Sequence, residues 1–211
     1  MNIKVPSQWS EISLKQFEEL VDISNDAELT DVERETYIIS TLCNLSYNDV
    51  MNLDIVSYGK ILKALEFMNA PVEKKMPDSN ITLNGTEYII ELVPKNFTAA
   101  QFLDFKVIAN KPELDKHTAR MCACFIIPKG HKYNDGYDNE LVVNDIYEYM
   151  SIEHVVAVTN FFFLQYKACA DSLIRYSARQ MKKSKLMSKK EKKQLSNELA
   201  TARRLIQHIG Q

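Results

Sequence analysis

The sequence predicts a mainly α protein with one small β-hairpin at about 81–92 and a long C-terminal helical extension. Three observations lead there. Glycine and proline are scarce, 5 and 6 in 211 residues, which favours long helices and few loops. Apolar residues recur at steps of three and four through most of the chain. Only ITLNGTEYIIEL, at 81–92, alternates with period two.

The first helix opens at Ser13, an N-cap whose box partner is Gln16, with Ile12 and Phe17 placed for a hydrophobic staple. A polar loop, SNDAELTD, separates it from an amphipathic helix at 31–45 that presents Tyr37, Ile38, Thr41, Leu42 and Leu45 on one face. Ser46 caps a short helix, and another at 57–69 carries Ile61, Leu62, Leu65 and Met68. APVEKKMPDSN, with two prolines and mixed charge, reads as a linker. In the hairpin, Asn84-Gly85 suits a type I′ turn, which pairs Leu83 with Thr86 and Ile81 with Tyr88. An isolated hairpin is marginal in water, so this one must pack on helices or pair with another strand.

Thr98 and Gln101 repeat the capping box, stapled by Phe97 and Phe102, ahead of a helix at 98–110. The two capped segments match as apolar-[Ser/Thr]-x-x-Gln-Phe-x-acidic-apolar, the pattern of an internal duplication or of shared capping physics; their flanks do not align, which favours the second. A helix is expected at about 114–127, stopped by Pro128, and a short one at 144–150. Ser151 then caps a long helix with a seam of Val155, Val158, Phe162, Tyr166, Cys169, Leu173 and Tyr176. A last helical segment restarts at Ser188. The expected organisation is 1–76 and 77–170 as two subdomains, followed by a basic tail at 171–211.

The net charge of −2 conceals an asymmetry. From Asp171 onward, 11 Lys/Arg against 3 Asp/Glu give +8, while the first 170 residues hold 15 against 25, giving −10. The tail, through Lys182, Lys183, Lys185, Lys189, Lys190, Lys192, Lys193, Arg203 and Arg204, suits DNA or an acidic partner, although a solvated helical face has the same composition. No basic-then-apolar leader opens the chain, and its most apolar stretch, 155–164, falls short of the roughly 20 residues a membrane span needs. Cys43, Cys122, Cys124 and Cys169 form no CxxC pair and read as buried free thiols of a reducing compartment.

One stretch looks like a site: IIPKGHKYNDGYDNE, 126–140. Aligned as a calcium loop on Gly136, it puts His131, Tyr133 and Val142 where oxygen ligands belong, and it lacks the GxxxxGK[ST] of a phosphate loop. His117, His131, His154 and His208 are scattered, and no serine sits in a nucleophile elbow. No catalytic residue, cofactor or metal is therefore expected, and the stretch reads as a shaped connection between helices. A metal-dependent enzyme would have to rest on His131, Asp135 and Asp138.

VPSQWSEISLKQFEELVDI, at 5–23, resembles the opening of small proteins from tailed-phage structural gene clusters. FIIPKGHKYNDGYDNE, at 125–140, resembles a later segment of similar proteins in phages of gut Bacteroides-type bacteria, and IISTLCNLSYNDVMNLDI shares their look. The likeness covers about 3–165 and leaves the basic tail out. It implies a non-enzymatic virion-morphogenesis protein, a tail assembly chaperone or baseplate assembly factor, helical and acting by binding other phage structural proteins in the host cytoplasm. A permanent virion component, such as a head-to-tail adaptor, ring or tail-barrel protein, is the alternative. Trp9, Phe161, Phe162 and Phe163 are the candidate partner contacts, and homo-oligomerisation is open; the same aromatic residues equally suit a core.

Overall fold

The computed structural model describes residues 3–109, 111, 114–165 and 193. The described chain is mainly α, with one small antiparallel sheet. Its elements are α1 (Leu14–Asn25), α2 (Asp31–Cys43), α3 (Tyr47–Met51), α4 (Ile55–Ala64), β1 (Asn80–Leu83), β2 (Thr86–Ile90), α5 (Ala99–Ala109), α6 (Thr118–Ala123), β3 (Ile126–Pro128), α7 (Asn139–Tyr149) and a helix α8 at 152–165. Two compact units divide at Val158/Thr159. The junction expected at 76/77 falls inside the first unit, and most of the expected tail lies outside the described residues.

Side chains that satisfy backbone donors start the helices. Ser13 with Gln16, Thr30 with Glu33, Ser46 with Asp49 and Thr98 with Gln101 all form reciprocal capping boxes. Both glutamines do more than cap. Gln16 Nε2 donates to the Thr41 carbonyl at 3.1 Å, and Gln101 Nε2 to the Cys124 carbonyl at 3.0 Å. Each therefore ties the start of one helix to the end of the next, and Gln101 does so at 2% exposure.

The hairpin forms in the expected register, Leu83 opposite Thr86 and Ile81 opposite Tyr88, with Asn84 and Gly85 at φ 48° and 78°. Its need for a third partner is met within the chain. β3 pairs antiparallel with β2, Ile127 opposite Ile89, giving the order β1-β2-β3. This corrects the helix expected at 114–127: α6 ends at Ala123, and the β-branched Ile126 and Ile127 are more useful as a strand covering an open edge. Leu83, Tyr88, Ile90 and Ile126 bury one face, and α7 closes over it, with Tyr88 Oη donating to Asp145 Oδ2 at 2.5 Å.

Two further expectations shift. The buried side of α2 is Thr36, Ile39, Leu42 and Cys43, about one residue round from the predicted face. Thr36 can turn inward because its hydroxyl donates to the Val32 carbonyl at 2.7 Å, while Tyr37 stays outside against Tyr47. The short helix expected at 144–150 begins earlier, at Asn139, because Asp138 caps it through Glu140 N.

The ends of the first unit are clasped together. Leu14 N donates to Met150 O at 2.9 Å and Ile152 N to Ile12 O at 2.8 Å, so the starts of α1 and α8 run side by side as a short antiparallel bridge. Ile12 and Met150 are fully buried there.

Replacing Gln101 by Leu strands the buried Cys124 carbonyl and removes a cap, a loss of about 2 kcal/mol. Gln16→Leu, at a half-buried position, costs about half that, because water reaches the freed groups. Urea unfolding of the two variants checks the ranking; equal losses would contradict it.

Candidate functional site

The connection between β3 and α7 is as folded as the elements it joins. Gly130, Asn134 and Gly136 all take left-handed backbone, φ 89°, 58° and 76°. Of these positions Asn134 was not legible, since it carries no glycine-like signal beyond its tolerance of that region. A Cβ on Gly136 would sit 3.6 Å from the His131 ring, which itself meets the Asp135 carbonyl at 3.1 Å. Asp138 is occupied as the cap of α7. His131, Asp135 and Asp138 thus serve the turn, and among the described residues no group of three His, Cys, Asp or Glu side chains is placed to hold a metal ion.

Beside this connection lies a cleft of about 340 Å³, bordered by Asp104, Arg120, Cys124, Tyr133, Asn134 and Asn139. Its groups are largely committed. Tyr133 Oη donates to Asp104 at 2.9 Å, and Arg120 grips Glu140 through two 2.7 Å bonds. Burial pushes the Cys124 thiol up to about 12, so it is not a nucleophile at neutral pH. The three described cysteines are all free and buried, and Cys169 lies outside the described residues.

Ser151, His154 and Asp78 line up in the order of a hydrolytic triad: Ser151 Oγ is 2.8 Å from His154 Nδ1, and His154 Nε2 is 3.4 Å from Asp78. Ser151 is however the buried start of α8, and its Oγ accepts from His154 N at 3.4 Å. The trio reads as a helix cap extended by one exposed carboxylate.

A different surface has the character of a contact site. On α2–α4, Ile55 is 81% exposed, Val32 64%, Val56 62% and Met51 55%. Local contacts bring them together. Thr36, one turn beyond Val32, touches Met51 Sδ at 3.8 Å, and Tyr58, one turn beyond Ile55, donates to Glu35 at 2.5 Å. Burial and that carboxylate push the Tyr58 phenol up to about 12. Carboxylates adjoin the apolar residues in sequence: Asp31 precedes Val32 and Asp54 precedes Ile55, and 26–64 as a whole holds seven Asp/Glu against Arg34, Lys60 and Lys63. Hydrogen bonds from Thr30, Ser46 and Ser57 hold Glu33, Asp49 and Asp54 below the usual carboxylate range.

The predicted contacts sit elsewhere. Trp9 packs edge-on against Phe17 and Phe67, and its Nε1 donates to the Ala70 carbonyl at 3.0 Å, so its ring is engaged within the chain. Phe161 and Phe162 are buried against each other, ring centres 5.1 Å apart, and Phe163 is half-buried. Of the basic residues Lys193 is described, exposed and helical; Lys182, Lys183, Lys185, Lys189, Lys190, Lys192, Arg203 and Arg204 lie outside the described residues. Sequence reading missed the α2–α4 face because Val32, Met51, Ile55 and Val56 are ordinary core residue types. The unremarked signal was Asp-Val and Asp-Ile-Val at helix starts, apolar residues where a first turn faces solvent. No described helix is long and apolar enough to cross a membrane.

The capping carboxylates give stability a defined pH dependence. Their folded-state pKa values lie below the unfolded ones, so their contribution is complete above the ordinary carboxylate range and is lost as pH falls through the depressed values, below about 4. Thr30→Ala with Ser46→Ala removes the partners, and melting temperatures from pH 7 to 3 should fall less steeply in that variant than in the parent. Compared with known protein families, curated proteins and solved structures, the chain has no match.

Proposed function

We propose that this chain is a non-enzymatic assembly protein of tailed phages that binds tail or baseplate subunits, as a tail assembly chaperone or baseplate assembly factor in the host cytoplasm. The observation that carries the reading is the exposed apolar residues of α2–α4, set in a segment of net negative charge. Isolated apolar residues are normal on a surface, but several at more than half exposure around one helix junction suit a protein contact. The resemblance of 5–23 and 125–140 to phage morphogenesis proteins supports the biological setting. The largely committed polar cleft and the capped helix ends offer chemistry that the fold itself consumes, which favours binding over catalysis.

One observation favours the second reading, a permanent virion component. The +8 segment at 171–211 suits DNA or an acidic neighbour inside a particle.

Mass spectrometry of purified particles separates the two. An assembly factor is absent from finished particles while its deletion stalls tail formation; a structural component is present in fixed stoichiometry. Normal particles from the deletion, with the chain absent, would refute both. DNA affinity of the full chain should fall steeply with salt if 171–211 contacts phosphates, and a flat salt response refutes that role.

A further inference from the structure

We infer that the α2–α4 face docks a lysine- or arginine-bearing amphipathic helix of a protein partner. The inference rests on the protein-binding reading and specifies the partner's chemistry.

Charge decides the class of occupant. Residues 26–64, which include all of α2–α4, carry seven carboxylates against Arg34, Lys60 and Lys63, a net of −4, in the segment that exposes Val32, Met51, Ile55 and Val56. Arg34, the cation of α2, is already spent on Asp31 at 3.1 Å and on the Asp26 and Leu29 carbonyls. The field outside the face is therefore negative on balance, and Lys60 and Lys63, further along α4, offset it in part. Nucleic acid and anionic lipid are repelled by such a field. Two copies meeting through this same face would bring like charge onto like charge, since an isologous contact places a patch against itself. A partner with cations at its edges is attracted and steered in.

The backbone then decides the shape. Thr30, Ser46 and Asp54 take up N–H groups at the starts of α2, α3 and α4 through their side chains. Those helix ends accordingly present carboxylates rather than open donors. An extended peptide, which gains its affinity from main-chain bonds along a strand edge, finds its counterpart in a sheet and not in this face. Apolar anchors between helices, with charge at the margin, match an amphipathic helix that inserts residues at i, i+3 or i+4, and i+7. Met51 adds a side chain that repacks readily around an inserted residue.

The arrangement also separates the roles of the two groups. Carboxylates at the rim are solvated and contribute mainly to association rate and partner choice. The apolar centre, Met51 and Ile55 above all, supplies the affinity. Depressed pKa values at Glu33, Asp49 and Asp54 keep the rim charged well into mildly acidic solution.

The test titrates the full-length protein with three labelled synthetic peptides: a Leu/Lys amphipathic helix of about 18 residues, its Leu/Glu counterpart, and an oligolysine of equal charge without the apolar stripe. The Leu/Lys helix should bind at least about tenfold more tightly than either control, with both charge and apolar surface required. Met51→Ser with Ile55→Ser should weaken it about tenfold or more, whereas Leu103→Ser with Val107→Ser, on the exposed side of α5, should not. Both pairs are exposed, and circular dichroism confirms that each variant is folded. As an independent variant, Glu28→Lys with Asp31→Lys should reverse the preference toward the Leu/Glu helix. Binding of oligolysine equal to the Leu/Lys helix, indifference to the Met51 and Ile55 changes, or preference of the parent for the Leu/Glu helix each overturns the inference. So does self-association in sedimentation that Ile55→Ser abolishes, which would assign the face to a second copy. None of these outcomes bears on particle composition, so the inference and the assembly reading fail separately.

Discussion

Two backbone hydrogen bonds, Leu14 N to Met150 O and Ile152 N to Ile12 O, hold the arrangement of the first unit. They join residues far apart in sequence, at the point where two helices begin. Closing a loop of that length is costly in entropy, though the cost grows only slowly with length, and the buried side chains of Ile12, Met150 and Ile152 offset it. Once the clasp is closed, α7 lies against α1 and α6, and α7 in turn holds the hairpin through Tyr88 and Asp145. The sheet, the polar connection and the helices on either side are thereby placed around one shared core.

The parts of this fold that were legible in the sequence are those governed by near neighbours. Capping boxes are set by residues three apart, and the hairpin register by a two-residue turn, so Ser13–Gln16, Thr98–Gln101 and Asn84-Gly85 could be placed without knowledge of the rest. What escaped depends on distant partners. Ile126 and Ile127 become a strand because β2 has an edge to fill, and periodicity alone cannot distinguish such a short apolar run from the end of a helix. The inward face of α2 depends on a hydroxyl bonded to its own helix, which lets a threonine replace an aliphatic side chain. The clasp has no local signal at all, since any two helix starts could in principle supply it.

The proposed contact surface differs from the one the aromatic residues suggested for the same kind of reason. Aromatic residues draw attention as anchors, yet Trp9 is half-buried against Phe17 and Phe67, and Phe161 and Phe162 are buried. Val32, Ile55 and Val56 are unremarkable as residue types, and only their position at the first turns of helices beside carboxylates sets them apart. The connection at 129–138, conspicuous for its polar residues, devotes them to left-handed turns, a cap and a tie to α5. Conspicuous chemistry served the architecture here, and ordinary side chains were left exposed.

The strand at Ile126–Pro128 has a consequence for how the protein behaves among copies of itself. Phe125 O and Lys129 N bond toward β2, so the alternation of an antiparallel ladder turns Pro128 outward, with no N–H to offer. An incoming strand would find three residues, one of them unable to donate. The other border, β1, is four residues long and starts at a polar asparagine. Such borders resist the strand-by-strand stacking that turns concentrated protein into fibres. The molecule can therefore accumulate in a crowded cell while its sheet stays a private matter of the fold.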